Sequence, residues 1–152
     1  MKNNINVSFT ALPIAKTVNK IGNLETHIDL YRVTHKDKKF LEKIGKEVKM
    51  EKLMPNFDEF AYQRWQDMLD IALEDVIGRS QPTYLAVCNK KPCGIMSTLQ
   101  NDKKFKVCCV CTWPIEAGKK VKFAGKTLFY TLFKDFKKSK AKEITLDAIQ
   151  DG

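Results

Sequence analysis

The chain has 152 residues, 43% hydrophobic and 30% charged, with 27 Lys and Arg against 18 Asp and Glu for a formal net charge of +9. That length suits one globular domain whose core needs no disulfide or structural metal, and the composition excludes both a disordered and a membrane-embedded chain. No apolar run approaches the ~18–20 residues of a membrane span, and the opening Met1-Lys2-Asn3-Asn4-Ile5-Asn6 lacks the apolar stretch of a signal peptide, so a cytoplasmic protein with no membrane partner is expected.

Residues 1–26 read as an N-terminal extension. Within it Val7–Leu12 alternates and is a candidate extra strand, ended by Pro13. Residues 27–152 read as a single domain. His27–Val33 alternates as a strand should, and Thr34 with Asp37 three residues on predicts a helix cap. Phe40, Leu41, Ile44 and Val48 then repeat at helical spacing. A break over 49–55 ends in Pro55. Asn56 and Glu59 form a second cap signal. Phe57, Phe60, Ala61, Trp65, Met68, Leu69, Ala72 and Val76 then predict a long amphipathic helix over about 57–77, closed by Gly78.

Three strands are expected next: Thr83–Cys88, Cys93–Gln100 and Phe105–Trp113. The polar turns Asn89-Lys90-Lys91-Pro92 and Asn101-Asp102-Lys103-Lys104 separate them, which marks an antiparallel meander. Gly125, Leu128, Phe129, Leu132, Phe133 and Phe136 predict a further helix with its aromatics in the core. Glu143–Ile149 alternates as a last strand.

The five cysteines, Cys88, Cys93, Cys108, Cys109 and Cys111, are odd in number, as suits a reducing compartment. They lack paired CxxC spacing, and small buried strand residues describe them better than metal ligands, so no metal is expected. His27 and His35, the only histidines, lie far upstream of the cysteines and suggest no nucleophile–base pair.

The charge is concentrated. Between Lys119 and Lys142 nine lysines face one acid, Asp135. Lys119, Lys120, Lys122 and Lys126 surround the predicted helix start at Gly125. Helix N-termini carry unpaired amides and partial positive charge, so lysines there favour a phosphate. The later lysines suit a solvated face.

Strand, helix, helix, meander, phosphate-type loop, helix, strand: over residues 27–152 this order resembles the GNAT superfamily of N-acetyltransferases. Thr112-Trp113-Pro114, then Lys120-Val121-Lys122-Phe123-Ala124-Gly125 and Leu128, match the family's V-x-P and Q/R-x-x-G-x-G/A segment. Leu146-Asp147-Ala148 matches its fifth strand. Phe123 stands where the motif has its first glycine and Lys120 where it has Gln or Arg, and the loop is about three residues longer than is common.

The resemblance implies an α/β (α+β) fold with a mixed, mainly antiparallel central sheet flanked by helices. The family's C-terminal helix and last two strands are absent before Gly152. It implies acetyl-CoA as co-substrate and direct acetyl transfer to a small-molecule or protein amine. Cys111 and Thr112 would offer backbone groups to the pantetheine arm. Lys120, Val121, Lys122, Phe123, Ala124, Gly125 and Lys126 would form the phosphate site. Tyr62 and Trp65 would shape the acceptor pocket if they are not simply core. Glu116 is a candidate base with a solvated loop carboxylate as the alternative, and no catalytic residue is assigned. The family's tyrosine acid has no counterpart here. An exposed last strand favours a homo-oligomer or a partner chain that completes the sheet. Two rival readings stand beside this one: a noncatalytic GNAT-like interaction domain, and a basic nucleic-acid-binding module, for which lysines supply the charge but no motif the specificity.

Overall fold

The strand that the sequence starts at His27 begins at Leu24, and a further strand precedes it. The computed structural model describes residues 13–49, 59–113 and 123–146. Strand β1 runs over Ala15–Ile21 and β2 over Leu24–Val33. Gly22, at φ +58°, begins the two-residue turn between them. β1 alternates half-buried Ala15, Thr17 and Asn19 with exposed Lys16, Val18 and Lys20. Ala15, Thr17 and Asn19 are not large apolar side chains, so the hydrophobic pattern of the strand is faint. The candidate strand Val7–Leu12 lies outside the described residues.

Thr34 comes directly after β2 and caps the next helical turn. Its Oγ1 accepts from the Lys36 amide at 3.2 Å, and the Asp37 carboxylate accepts from the Thr34 amide at 2.9 Å. This is the reciprocal cap that the spacing predicts. One turn of 3-10 helix, His35–Asp37, leads into α1 at Lys38–Lys49. Helix α2 spans Glu59–Ile77, and the Gly78 amide after it donates to the Glu74 carbonyl at 2.8 Å.

The meander is β3 (Thr83–Cys88), β4 (Lys91–Gln100) and β5 (Lys104–Thr112). The first turn corrects the expectation. It is only Asn89-Lys90, both in the left-handed region at φ 51° and 64°, and Pro92 lies inside β4. Pairing slips from Ala86↔Gly94 to Val87↔Pro92, leaving Cys93 as the extra residue of a bulge. Bulges are among the few places where a strand accommodates proline. Helix α3 covers Ala124–Lys138 and β6 covers Glu143–Leu146.

The six strands lie in chain order in one sheet. The first five are antiparallel to their neighbours, and β6 runs parallel to β5 after the α3 crossover. Helices α1 and α2 cover one face, where Val33, Leu41, Ile44, Leu69, Val76, Leu85 and Ile95 are buried. Helix α3 covers the other, with Ile28, Leu30, Tyr84, Met96, Leu128 and Leu132.

Strand β5 serves both cores through a second bulge. Its pairing with β4 jumps from Ser97↔Cys109 to Thr98↔Val107, so Cys108 is the extra residue. Without it, Phe105, Val107, Cys109 and Cys111 would share a face, because side chains alternate with period two. With it, Phe105 and Val107 pack beneath α3 while Cys109, Cys111 and Trp113 pack beneath α2.

Two aromatics expected in the core are not there. Phe133 is 46% exposed and Phe60 70% exposed. Helix α3 buries the stripe Ala124, Thr127, Leu128, Thr131 and Leu132, which leaves Phe129, Phe133 and Phe136 on its flank. Of these, Phe136 meets the Phe105 ring edge-on at 5.5 Å. Phe60 lies against the Arg64 guanidinium instead.

Candidate active site

Among the described residues, β6 pairs with β5 ahead of the Cys108 bulge. Their parallel pairing runs from Lys104↔Glu143 to Val107↔Leu146, and among the described residues it ends there. The remainder of β5, Cys108–Thr112, stays paired with β4. The Trp113 amide donates to the Cys93 carbonyl at 2.9 Å. Given the Gly94↔Thr112 and Ile95↔Cys111 register, this places the Cys111 backbone groups toward Ile95. Those of Val110 and Thr112 point away from β4, toward the β6 side of the sheet. Of the two strand residues singled out in the sequence, Thr112 therefore turns its backbone to this outer side and Cys111 addresses β4. Val110 was missed, because backbone direction depends on a register that no local pattern reveals.

The Thr112 carbonyl accepts from the Trp65 indole Nε1 at 2.9 Å. Trp65 is half-buried, so it both packs and borders this strand end. The side chain of Tyr62 lies outside the described residues.

Helix α3 begins just beyond this strand end. An ideal Cβ on Gly125 would stand 3.9 Å from the Thr112 methyl, and the opposite wall is set by Gly94, whose own added Cβ would meet Thr112 at 3.4 Å. The first intrahelical bond runs from the Thr127 amide to the Phe123 carbonyl at 2.9 Å. The amides of Ala124, Gly125 and Lys126 are thus the unpaired opening groups of the helix. The N-cap residue Phe123 supplies no side-chain cap, and the first turn holds no acid. Phe123 adopts the left-handed conformation, φ 72° and ψ 8°, although it replaces a motif glycine. Lys126 Nζ lies 5.5 Å from the Phe123 ring centroid. Lys120, Val121, Lys122 and Glu116 lie outside the described residues.

The cysteines are divided by the sheet. Cys93 is buried on the α3 side, and Cys109 and Cys111 on the α2 side. Burial pushes the Cys93 and Cys109 thiols up to about 12 and the Cys111 thiol higher still. Cys109 Sγ donates to the Met68 carbonyl at 2.9 Å. These are inert neutral thiols rather than nucleophiles. Among the described residues, no three His, Cys, Asp or Glu side chains gather as a metal site would require. His27 pairs with Glu25 at 2.5 Å, and His35 lies 3.5 Å from Ser80 Oγ, both remote from the end of β5.

A polar network fastens α3 to the sheet. Asp135 Oδ2 accepts from both Arg32 Nη2 and the Tyr84 hydroxyl at 2.5 Å. Gln100 Nε2 donates to the Tyr84 oxygen at 2.8 Å. These four residues come from β2, β3, β4 and α3, so nothing in the linear sequence groups them.

No protein-family model matches this chain, and no curated protein does. Solved structures do. A ribosomal-protein-alanine N-acetyltransferase from Brucella melitensis biovar Abortus 2308 is similar at TM-score 0.53 and 13% identity, over 81% of this chain and 82% of that one. A GNAT family acetyltransferase from Staphylococcus aureus is similar at 0.51 and 16% identity, over 81% and 87%. A possible acetyltransferase from Clostridium difficile 630 is similar at 0.50 and 12% identity, over 82% of each. The chain therefore has a GNAT-like fold, with the mixed, mainly antiparallel sheet and flanking helices that the element order implied. Among the described residues, no helix is long and apolar enough to cross a membrane.

Proposed function

We propose that this protein transfers an acetyl group from acetyl-CoA directly to an amine. The observation that carries the proposal is the meeting of three features at one point. β5 is bulged at Cys108, the backbone groups of Val110 and Thr112 turn away from β4, and the N-terminus of α3 begins beside Thr112. A pantetheine arm is an extended amide chain and pairs naturally with a strand edge. A pyrophosphate is what three free amides and Lys126 would hold. The phosphate site extends back through Lys120, Val121 and Lys122, and Cys111 backs the strand edge from within the core.

In the reaction, a neutral amine attacks the thioester carbonyl. A C–N bond forms, the C–S bond breaks, the nitrogen gives up a proton to become the amide, and the thiolate takes one up. An N–H of Val110 or Thr112 is placed to polarise the carbonyl oxygen, and the strand–helix junction holds the donor in line for attack. Direct transfer fits the cysteines, since buried neutral thiols would not form an acetyl-enzyme. The acceptor enters from the α2 side, past Trp65, and its identity is the subject of an amine screen.

Calorimetric titration with acetyl-CoA at two salt concentrations tests the reading. One-site binding that persists at moderate salt, followed by turnover with an amine, is expected. Absence of saturable binding would overturn the assignment. Gly125→Val places branched carbons over the helix amides, where the backbone leaves room for a Cβ. It should weaken acetyl-CoA binding at least tenfold, about 1.4 kcal/mol, with stability changed by less than about 1 kcal/mol.

A further inference from the structure

A second groove lies at the opposite edge of the sheet, between β1 and the flank of α3. It has a volume of about 420 Å³. One wall is Ala15, Lys16, Thr17, Val18 and Asn19, and the other is Lys126, Thr127, Tyr130 and Lys134. Five consecutive strand residues can all line one groove only if the edge of the strand, not just one of its faces, borders it.

The direction of that edge comes from the hairpin. A two-residue turn closes on a hydrogen-bonded pair, here Ile21↔Leu24, so Ala15, Thr17 and Asn19 bond β2 while Lys16 and Val18 turn their N–H and C=O outward. Lys16 stands opposite Asp29 in the ladder. Asp29 alternates with Ile28 and Leu30, which are buried beneath α3, so the Lys16 side chain lies on the far face and meets the groove only through its backbone. The charge facing the groove is that of Lys134 and of Lys126, which the proposed acetyl-CoA site shares at the start of α3. No Asp or Glu is among its lining residues. Between the two lysines Tyr130 is 52% exposed, and Lys134 Nζ lies 5.6 Å from its ring centroid.

We propose that this groove binds an acidic peptide segment as an added strand on β1, with one apolar residue flanked two positions away on each side by an acid. The spacing comes from helix and strand geometry. From Lys126 to Lys134 is eight residues of helix, about 12 Å at 1.5 Å each. Four residues of strand cover about 13 Å. Acids at i and i+4 therefore meet the two lysines, and the residue at i+2, on the same face, lies over Tyr130. Backbone pairing to Lys16 and Val18 supplies the rest. The pattern reads the same in either direction, so it does not depend on strand polarity. Charge argues against the chain's own residues 1–12 as occupant, because they contain Lys2 and no acid.

The test is fluorescence anisotropy of the full chain with a labelled peptide Thr-Glu-Thr-Phe-Thr-Glu-Thr. Saturable binding is expected, weakened at least tenfold by Lys134→Glu and by Tyr130→Ala. Acetyl-CoA affinity of Lys134→Glu should be unchanged, which shows that the variant is folded. The isomer Thr-Thr-Glu-Phe-Glu-Thr-Thr, with its acids on the other face, should bind at least tenfold more weakly. Of two peptides N-methylated on alternate residues, one should lose binding and the other keep it. Equal binding of the two isomers, or equal effects of both methylation patterns, would mean charge attraction without strand addition and would overturn the proposal. Absence of saturable binding would overturn it as well.

Discussion

Among the described residues Tyr84 is the largest fully buried side chain, yet its hydroxyl serves a carboxylate. Burial first, and the hydrogen bond to Asp135 second, raise its pKa from 10.0 to about 12. Below pH 10 the residue is protonated whether the chain is folded or not, and its contribution is whole. Between pH 10 and 12 the unfolded chain releases the proton and the folded chain keeps it, so stability falls as pH rises, by about 2–3 kcal/mol over the window. Denaturant titrations across that range should show a steeper loss for the parent than for Tyr84→Phe. Phe123 shows a different tension. Its left-handed backbone costs a side chain about 1–2 kcal/mol, and its ring packs beneath α3. Phe123→Ala loses the ring and keeps the strain, whereas Phe123→Gly loses both. The glycine variant should therefore be the more stable of the two by about 1 kcal/mol in thermal or chemical unfolding. At this scale the sequence was half legible. Phe123 was visible as a departure from a glycine motif, but its φ was not, and Asp135 looked like a lone acid among lysines until Arg32 and Tyr84 were found on it.

Among the elements, β5 has the most to explain. Its sequence shows no visible break, since Phe105, Val107, Cys109 and Cys111 recur at every second position straight past Cys108 and nothing in side-chain type marks the extra residue. The strand itself was legible, as were β3, β4, α2 and α3, because each carries a strong period and a turn or cap signal. β1 was not, because its half-buried positions Ala15, Thr17 and Asn19 carry no strong hydrophobic period. The bulge was not, because it is settled by two cores competing for one strand. Deleting Cys108 should realign Phe105 and Val107 with Cys109 and Cys111, forcing one set away from its core. The expected result is a loss of more than about 3 kcal/mol, or failure to fold, read by circular dichroism and urea unfolding. Cys108→Ser keeps the residue count and should retain both the fold and acetyl-CoA affinity.

Across the whole molecule, element order carried the reading further than any motif. Short polar turns dictated the antiparallel neighbours, and a helix between β5 and β6 dictated the parallel one. Which backbone groups of β5 turn away from β4 had to wait for the register. The same strand end has an optical consequence. The chain has two tryptophans, and both belong to it: Trp65 through its indole bond to the Thr112 carbonyl, and Trp113 as the residue directly after β5. No other indole contributes background, so the intrinsic emission of the protein is a gauge of this one cleft. A ligand that seats along Val110 and Thr112 should shift the emission in step with calorimetric saturation, and Trp65→Phe should remove most of the change. A peptide on β1, at the other edge of the sheet, should leave the emission where it was. One fluorimeter trace thus tells the two grooves apart without any label.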